Sequence, residues 1–354
     1  MSSSSTNELA QTDMALASED IASCRIGGTD GFDAQAPFGG SLGEFLLEQL
    51  ERDFDEARLS KVFRIFYRLR PFLPITVRQL LQKARNGKAE VPEKWYLPTE
   101  LLELIEQQSP PASIWPDNKE FAFVLTHDVE TQRGVGLVEQ LAAVEEEFGF
   151  RSSWNFVPHK YSVDAGLIDD LRSRDFEIGV HGYNHDGRTF LSRNHFKRRL
   201  PAMNAACEKW QAEGFRSPMV HRNLAWMQDL NVTYDSSCFD VDPFQAMPGG
   251  IQSFWPLRCG KFIELPYTMP QDHTLFITLG ETTDRIWREK LDVIRRCRGM
   301  AMMLTHPDYL DTPDRLAIYR DFLAYAAEQD DHWHALPHQV ASHARSLLSA
   351  PSTS

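Results

Sequence analysis

A small set of side chains at the ends of apolar runs has the types and spacing for hydrolytic chemistry. The run Phe121-Ala-Phe-Val-Leu125 gives way abruptly to Thr126-His-Asp-Val-Glu130. Asp128 and Glu130 stand two apart, so on continued β geometry they point to the same side. Two neighbouring carboxylates repel unless a cation or a shared proton relieves them. His181 and His185 have i, i+4 spacing, which places both on one face of a helical turn and suits two ligands to one metal. One carboxylate with two imidazoles, leaving a position open for water, is an arrangement found in catalytic zinc sites. Two further runs, Phe215–Pro218 and Gly299–His306, carry Arg216 and His306 at their ends.

Polar groups at strand ends act together only if a scaffold converges them. The sequence alternates strand and helix after residue 118. Strands are expected over 121–125, 151–157, 176–181, 215–218, 233–236, 262–266 and 299–306. Helices are expected over 134–148, 165–174, 194–213, 224–230, 285–298, 313–327 and 337–348. Repeated βα units argue for an α/β fold with a parallel sheet closed into a barrel, with its chemistry on the C-terminal rim. The expected division is a disordered tail over 1–40, a helical N-terminal extension over 41–117, the barrel over 118–348 and a short tail over 349–354. The extension reads as helices from Ser41 to Phe54, from Arg58 to Arg70, through Val77–Ala84 and over Thr99–Gln107.

Composition narrows the possible partners. The 354-residue chain has a net charge of −13, which argues against general nucleic-acid binding. No apolar run approaches the ~18 residues of a membrane-spanning helix, and the N-terminus lacks the pattern of a secretory signal. Five scattered cysteines, never at C-x-x-C spacing, read as reduced thiols of a cytoplasmic protein. Residues 58–88 hold nine Lys or Arg and no acid. Interleaved with Val62, Phe63, Phe66 and Leu69, they fit either docking on the acidic barrel or contact with the anionic inner face of a membrane.

The motifs, in this order, resemble those of the polysaccharide deacetylase family, the NodB-homology or carbohydrate esterase family 4 fold, over residues 118–345. The resemblance implies an irregular (β/α) barrel of seven or eight units, with Asp128 as catalytic base, Glu130 with His181 and His185 as metal ligands, Arg216 of Arg216-Ser-Pro218 as the group that orients the base, and His306 of Leu304-Thr-His306 as general acid. The departures are specific. Glu130 stands where the family has Asp, His127 where it has Phe, and Met219 where an aromatic is expected. The family's Asp beside the catalytic His has three candidates, Asp235, Asp240 and Asp242. By strand alternation His127 points away from Asp128 and is a packed residue.

Substrate contacts are expected from His221, Asp272 and His273, with Trp255 as a candidate sugar-stacking wall. His332, His334, His338 and His343 read as surface residues. No Gly-x-Ser-x-Gly elbow, Walker loop or dinucleotide fingerprint is present. The resulting expectation is a hydrolase that depends on a divalent metal, preferably zinc, and removes acetyl from an N-acetylated sugar or a lipid-linked glycan precursor. A ring-opening amidohydrolase of cyclic imides or ureides, and a non-catalytic glycan-binding scaffold, are the rival expectations. A glycan or small molecule is the expected partner, and self-association is compatible with the sequence.

Overall fold

The computed structural model describes residues 21–69, 91–245 and 247–349. Its strands are β1 (Ser23–Ile26), β2 (Phe32–Gln35), β3 (Phe121–Val129), β4 (Ser152–Phe156), β5 (Glu177–His181), β6 (Gly214–Arg216), β7 (Tyr234–Asp235), β8 (Leu257–Cys259), β9 (Phe262–Glu264), β10 (Met300–Thr305) and β11 (His332–His334). Strands β10, β3, β4, β5, β6, β7 and β9 lie side by side in that order, all parallel. No ladder joins the two ends of this row, but the chain beyond β9 reaches across. Thr268 and Met269 donate their N–H groups to the Met302 carbonyl, both at 3.1 Å. The Thr268 hydroxyl donates to Met300 O at 2.6 Å. The result is a barrel, as the alternation of strand and helix implied, of the irregular kind that the family resemblance implied.

Strand alternation decides what lines the barrel. Every residue of β3 is buried. Thr126 and Asp128 meet Arg216 inside. Phe123 and His127 face the helical layer, packing on Phe322 and Tyr319 of the helix Pro313–Ala327. The expected packing role of His127 holds. Its ring stacks on Trp154 at 4.1 Å and its Nε2 lies 2.5 Å from Glu145 of the helix Val138–Glu147.

The N-terminal part departs from expectation. Residues 23–35, assigned above to a disordered tail, form the β1–β2 hairpin, which extends the sheet through antiparallel pairing of β2 with β8. Ile26, Phe32, Ala34 and Ala36 are buried. The alternation spans only four residues on either side of a glycine-bearing turn, too short to register as a pattern. The helix Gly40–Glu56 packs Leu46, Leu47 and Leu50 into the core. The helix Lys61–Leu69 covers most of the second expected segment, and Thr99–Gln108 matches the fourth. The helix expected through Val77–Ala84 and much of the basic 58–88 stretch lie outside the described residues, as do residues 1–20. Among the described residues no helix is long and apolar enough to cross a membrane.

The four C-terminal histidines are less exposed than the expected surface residues. His332 and His334 belong to β11, which pairs with the start of β3, and all four are half-buried. His334 accepts from the Arg151 N–H at 2.8 Å, and burial pushes its pKa down to about 4.

Candidate active site

Asp128 sits near the end of β3, 2% exposed. Its Oδ1 accepts from Asn155 Nδ2 at 3.0 Å and from Arg216 NH1 at 3.3 Å. Asn155 reaches it because Gly179 on β5 has no side chain; a Cβ there would lie 1.9 Å from Asn155 Oδ1. Asp128 Oδ2 accepts no hydrogen bond from the described residues and lies 3.5 Å from His181 Nδ1. One oxygen is therefore anchored and the other is available. Burial alone would raise this carboxyl, but the charges of His181, Arg216 and His306 outweigh it and hold Asp128 below the ordinary carboxylate range. Because His181 is itself held neutral, Arg216 is the main lever at neutral pH. Arg216 is fully buried and fixed by Thr126 Oγ1 at 2.7 Å and the Ser236 carbonyl at 2.9 Å.

Glu130, His181 and His185 bring one ligand atom each within 4.8 Å of one another. His181 ends β5, and its Nδ1 donates to the Arg216 carbonyl at 3.1 Å. That bond leaves the lone pair on Nε2, which is buried and has no hydrogen-bond partner. Burial pushes His181 down to about 4, so the ring is neutral at pH 7. A buried imidazole with an unused lone pair is costly unless something binds it. The expected helical turn between the two histidines is absent. Gly182 at φ +66° and His185 at φ +57° turn the chain through left-handed positions instead. Glu130 Oε1 lies 2.7 Å from His185 Nε2. One carboxylate and two imidazoles at this spacing fit a divalent cation, and borderline-soft zinc suits the donor set.

His306, just past β10, is held from two directions by one carboxylate. Its backbone N–H donates to Asp272 Oδ2 at 2.7 Å, and its Nδ1 lies 2.7 Å from Asp272 Oδ1. Burial would lower His306, but Asp272, with Glu130 and Asp128 further off, raises it to about 9. Its Nε2 faces Glu130 Oε1 at 3.8 Å. Asp272 is thus the aspartate beside the histidine, in place of an expected substrate contact. The three aspartates weighed for that role are engaged elsewhere. Asp235 bonds Ser237, Asp240 pairs with buried Lys290, and Asp242 accepts from the Phe244 N–H.

Trp255 is not a sugar wall. It is fully buried, donates to the Arg298 carbonyl at 2.9 Å and packs on Phe38. His221 is buried beneath Tyr67, with ring centroids 4.7 Å apart. His273 stays at the rim against Tyr309, which also touches His306; both ring pairs are 5.0 Å apart.

Sequence reasoning did not single out Asn155, Thr126, or the pair Thr131 and Asp308. Thr131 Oγ1 donates to Asp308 Oδ1 at 2.5 Å and accepts from the Gly134 N–H at 3.1 Å. The pair ties the residue after Glu130 to the strand end that carries His306. Asp308→Ala should weaken metal binding about tenfold, the lower end for residues that support a ligand. Chelator competition measures it, and unchanged affinity would remove Asp308 from this role.

No protein-family profile matches the chain, and no curated protein matches it. Solved structures do. A Mycobacterium smegmatis protein assigned provisionally to the polysaccharide deacetylases superposes with a TM-score of 0.55 at 23% identity, covering 70% of this chain and 98% of that one. Puue allantoinase gives 0.53 at 15% identity, covering 69% and 96%. A Pseudomonas aeruginosa PAO1 protein, assigned to the deacetylases on similar footing, gives 0.51 at 15%, covering 68% and 96%. These likenesses establish the fold: the chain carries the barrel of the polysaccharide deacetylases.

Proposed function

We propose that this chain is a metal-dependent hydrolase of C–N bonds that removes acetyl from an N-acetylated amino sugar, free or within a glycan. The observation that supports it most is the cluster of half-buried Glu130 with buried His181 and His185, flanked by two differently tuned groups, Asp128 with Arg216 and His306 with Asp272. Glu130, His181 and His185 would hold the cation. A divalent metal there supplies a water of lowered pKa, towards ~7, and polarises the amide carbonyl.

The remaining work falls to the chain. Asp128 takes the water's proton on Oδ2, the oxygen left without a hydrogen bond. Arg216 and Asn155 keep Oδ1 engaged, so the carboxylate cannot swing. His306 donates from Nε2 to the leaving nitrogen, with Asp272 fixing Nδ1 and hence the tautomer. Base and acid then act on opposite ends of one bond. The same pieces would open a cyclic imide or ureide, since that reaction also breaks an amide C–N bond after attack by water.

The test uses the full-length protein. One divalent metal per chain is expected by elemental analysis, together with acetate release from N-acetylated sugars. His181→Ala should lose both. Full metal occupancy in that variant would overturn the ligand assignment. Ring opening of cyclic ureides without any acetate release would replace the substrate class and leave the metal centre standing.

A further inference from the structure

The helix Gly40–Glu56 is outside the barrel, yet it carries a carboxylate that is 1% exposed. Asp53 takes a two-pronged ion pair from Arg222: Nε donates to Oδ2 at 2.9 Å, and NH2 donates to Oδ1. Oδ1 also accepts from the Gly250 N–H at 2.7 Å. Arg222 is itself 2% exposed and lies over the Phe239 ring at 5.0 Å. A buried charge pair of this kind stabilises little relative to an apolar replacement, so its presence calls for a reason other than stability.

The third prong of Arg222 gives that reason. NH1 donates to the Val220 carbonyl at 3.0 Å. Met219 and Val220 both hold positive φ, 57° and 49°, which a β-branched valine adopts only under constraint. This strained corner follows Arg216-Ser-Pro218 directly. Pro218 in turn fills the space above Gly182, where a Cβ would lie 2.3 Å from the proline Cδ. Gly182 begins the turn from His181 to His185, and the Arg216 carbonyl at the start of the corner fixes the His181 tautomer. The same extension also covers the segment that follows that turn. Tyr67 covers Gly187 and His221, and Arg64 donates to the Leu191 carbonyl at 3.2 Å.

From this chain of contacts we infer that Asp53 is a positioning residue for the metal centre: through Arg222 it holds the Met219–Val220 corner, and with it Pro218 against Gly182, and so sets the approach of His181 and His185. The N-terminal extension is then part of the site. The inference rests on the metal-centre reading above and adds a residue that no strand-end motif contains.

Zinc alone is the probe, with affinity measured by chelator competition on the full-length protein well below its melting temperature. Asp53→Asn keeps the shape and loses the charge. Arg222→Lys keeps the charge and loses the simultaneous reach to Asp53 and the Val220 carbonyl. Both should bind zinc about 10–100-fold more weakly, the range usual for residues that orient a ligand. Leu323→Ala, in the buried face of the helix Pro313–Ala327, serves as a control for lost stability. It should melt earlier and bind zinc as the wild type does. Wild-type affinity in Asp53→Asn would overturn the inference, as would an equal loss of affinity in Leu323→Ala. If the wild type binds no zinc, or binds it with His181 replaced, the metal-centre reading itself has failed and the inference falls with it, an outcome distinct from wild-type affinity in Asp53→Asn alone.

Discussion

Asp128→Asn is expected to lower kcat about 10²–10⁴-fold, the usual worth of general base catalysis, with KM little changed and one metal still bound per chain. The amide oxygen can still accept from Asn155 and Arg216, but an amide nitrogen cannot take a proton at the position of Oδ2. The substitution also leaves Arg216 buried without its carboxylate. Breaking such a pair can cost about 3–5 kcal/mol, so a lower melting temperature should accompany the kinetic loss. Steady-state assays below that temperature, with metal analysis of the same sample, separate the two effects. Near wild-type kcat would take the base role from Asp128 and transfer it to Glu130.

Asp272→Asn should produce the second large loss, about 10²–10³-fold in kcat on an amide. The carboxylate holds both the backbone N–H and the Nδ1 of His306, so its loss affects the ring's position and its proton together. The diagnostic measurement is the dependence on leaving group. An amide nitrogen must be protonated as it departs, whereas an activated aryl acetate releases a phenolate that needs no proton. Asp272→Asn and His306→Ala should therefore be nearly wild-type on the aryl ester and severely impaired on the amide. Equal impairment on both substrates would show that His306 does not act as the acid.

Much of the site was legible in the sequence because each catalytic candidate sits where a buried apolar run turns polar. Asp128, His181, Arg216 and His306 all occupy such ends, and parallel strands deliver their ends to one rim. The partner of His306 was not legible for the opposite reason. Asp272 lies in an irregular segment after β9, where no period marks direction, while Asp235, Asp240 and Asp242 were nearer to a recognisable strand. Distance across the barrel, which the sequence does not encode locally, decided between them. Trp255 misled because a large aromatic in a Pro-rich stretch reads equally as a groove wall or as core; its N–H bonded to Arg298 places it in the core. The β1–β2 hairpin and strands β8 and β11 were missed because three or four residues are too few to establish a period of two. His181 and His185 do lie together, but a left-handed turn through Gly182 replaces the expected helical one.

The adjacency of β3 and β10 has a consequence for how the protein is made. About 170 residues separate the end of one from the start of the other, which at ~5–20 residues per second is on the order of ten to thirty-five seconds of synthesis. For that interval β3, buried along its whole length in the finished fold, has β4 beside it on one edge and nothing from β10 on the other, an exposure that favours aggregation. The candidate ligands emerge sooner than the acid. Glu130, His181 and His185 have all left the ribosome about 120 residues before His306 does. On the proposed reading, cation uptake and catalytic competence become separable events, because the candidate acid follows β10, the strand that fills the second edge of β3.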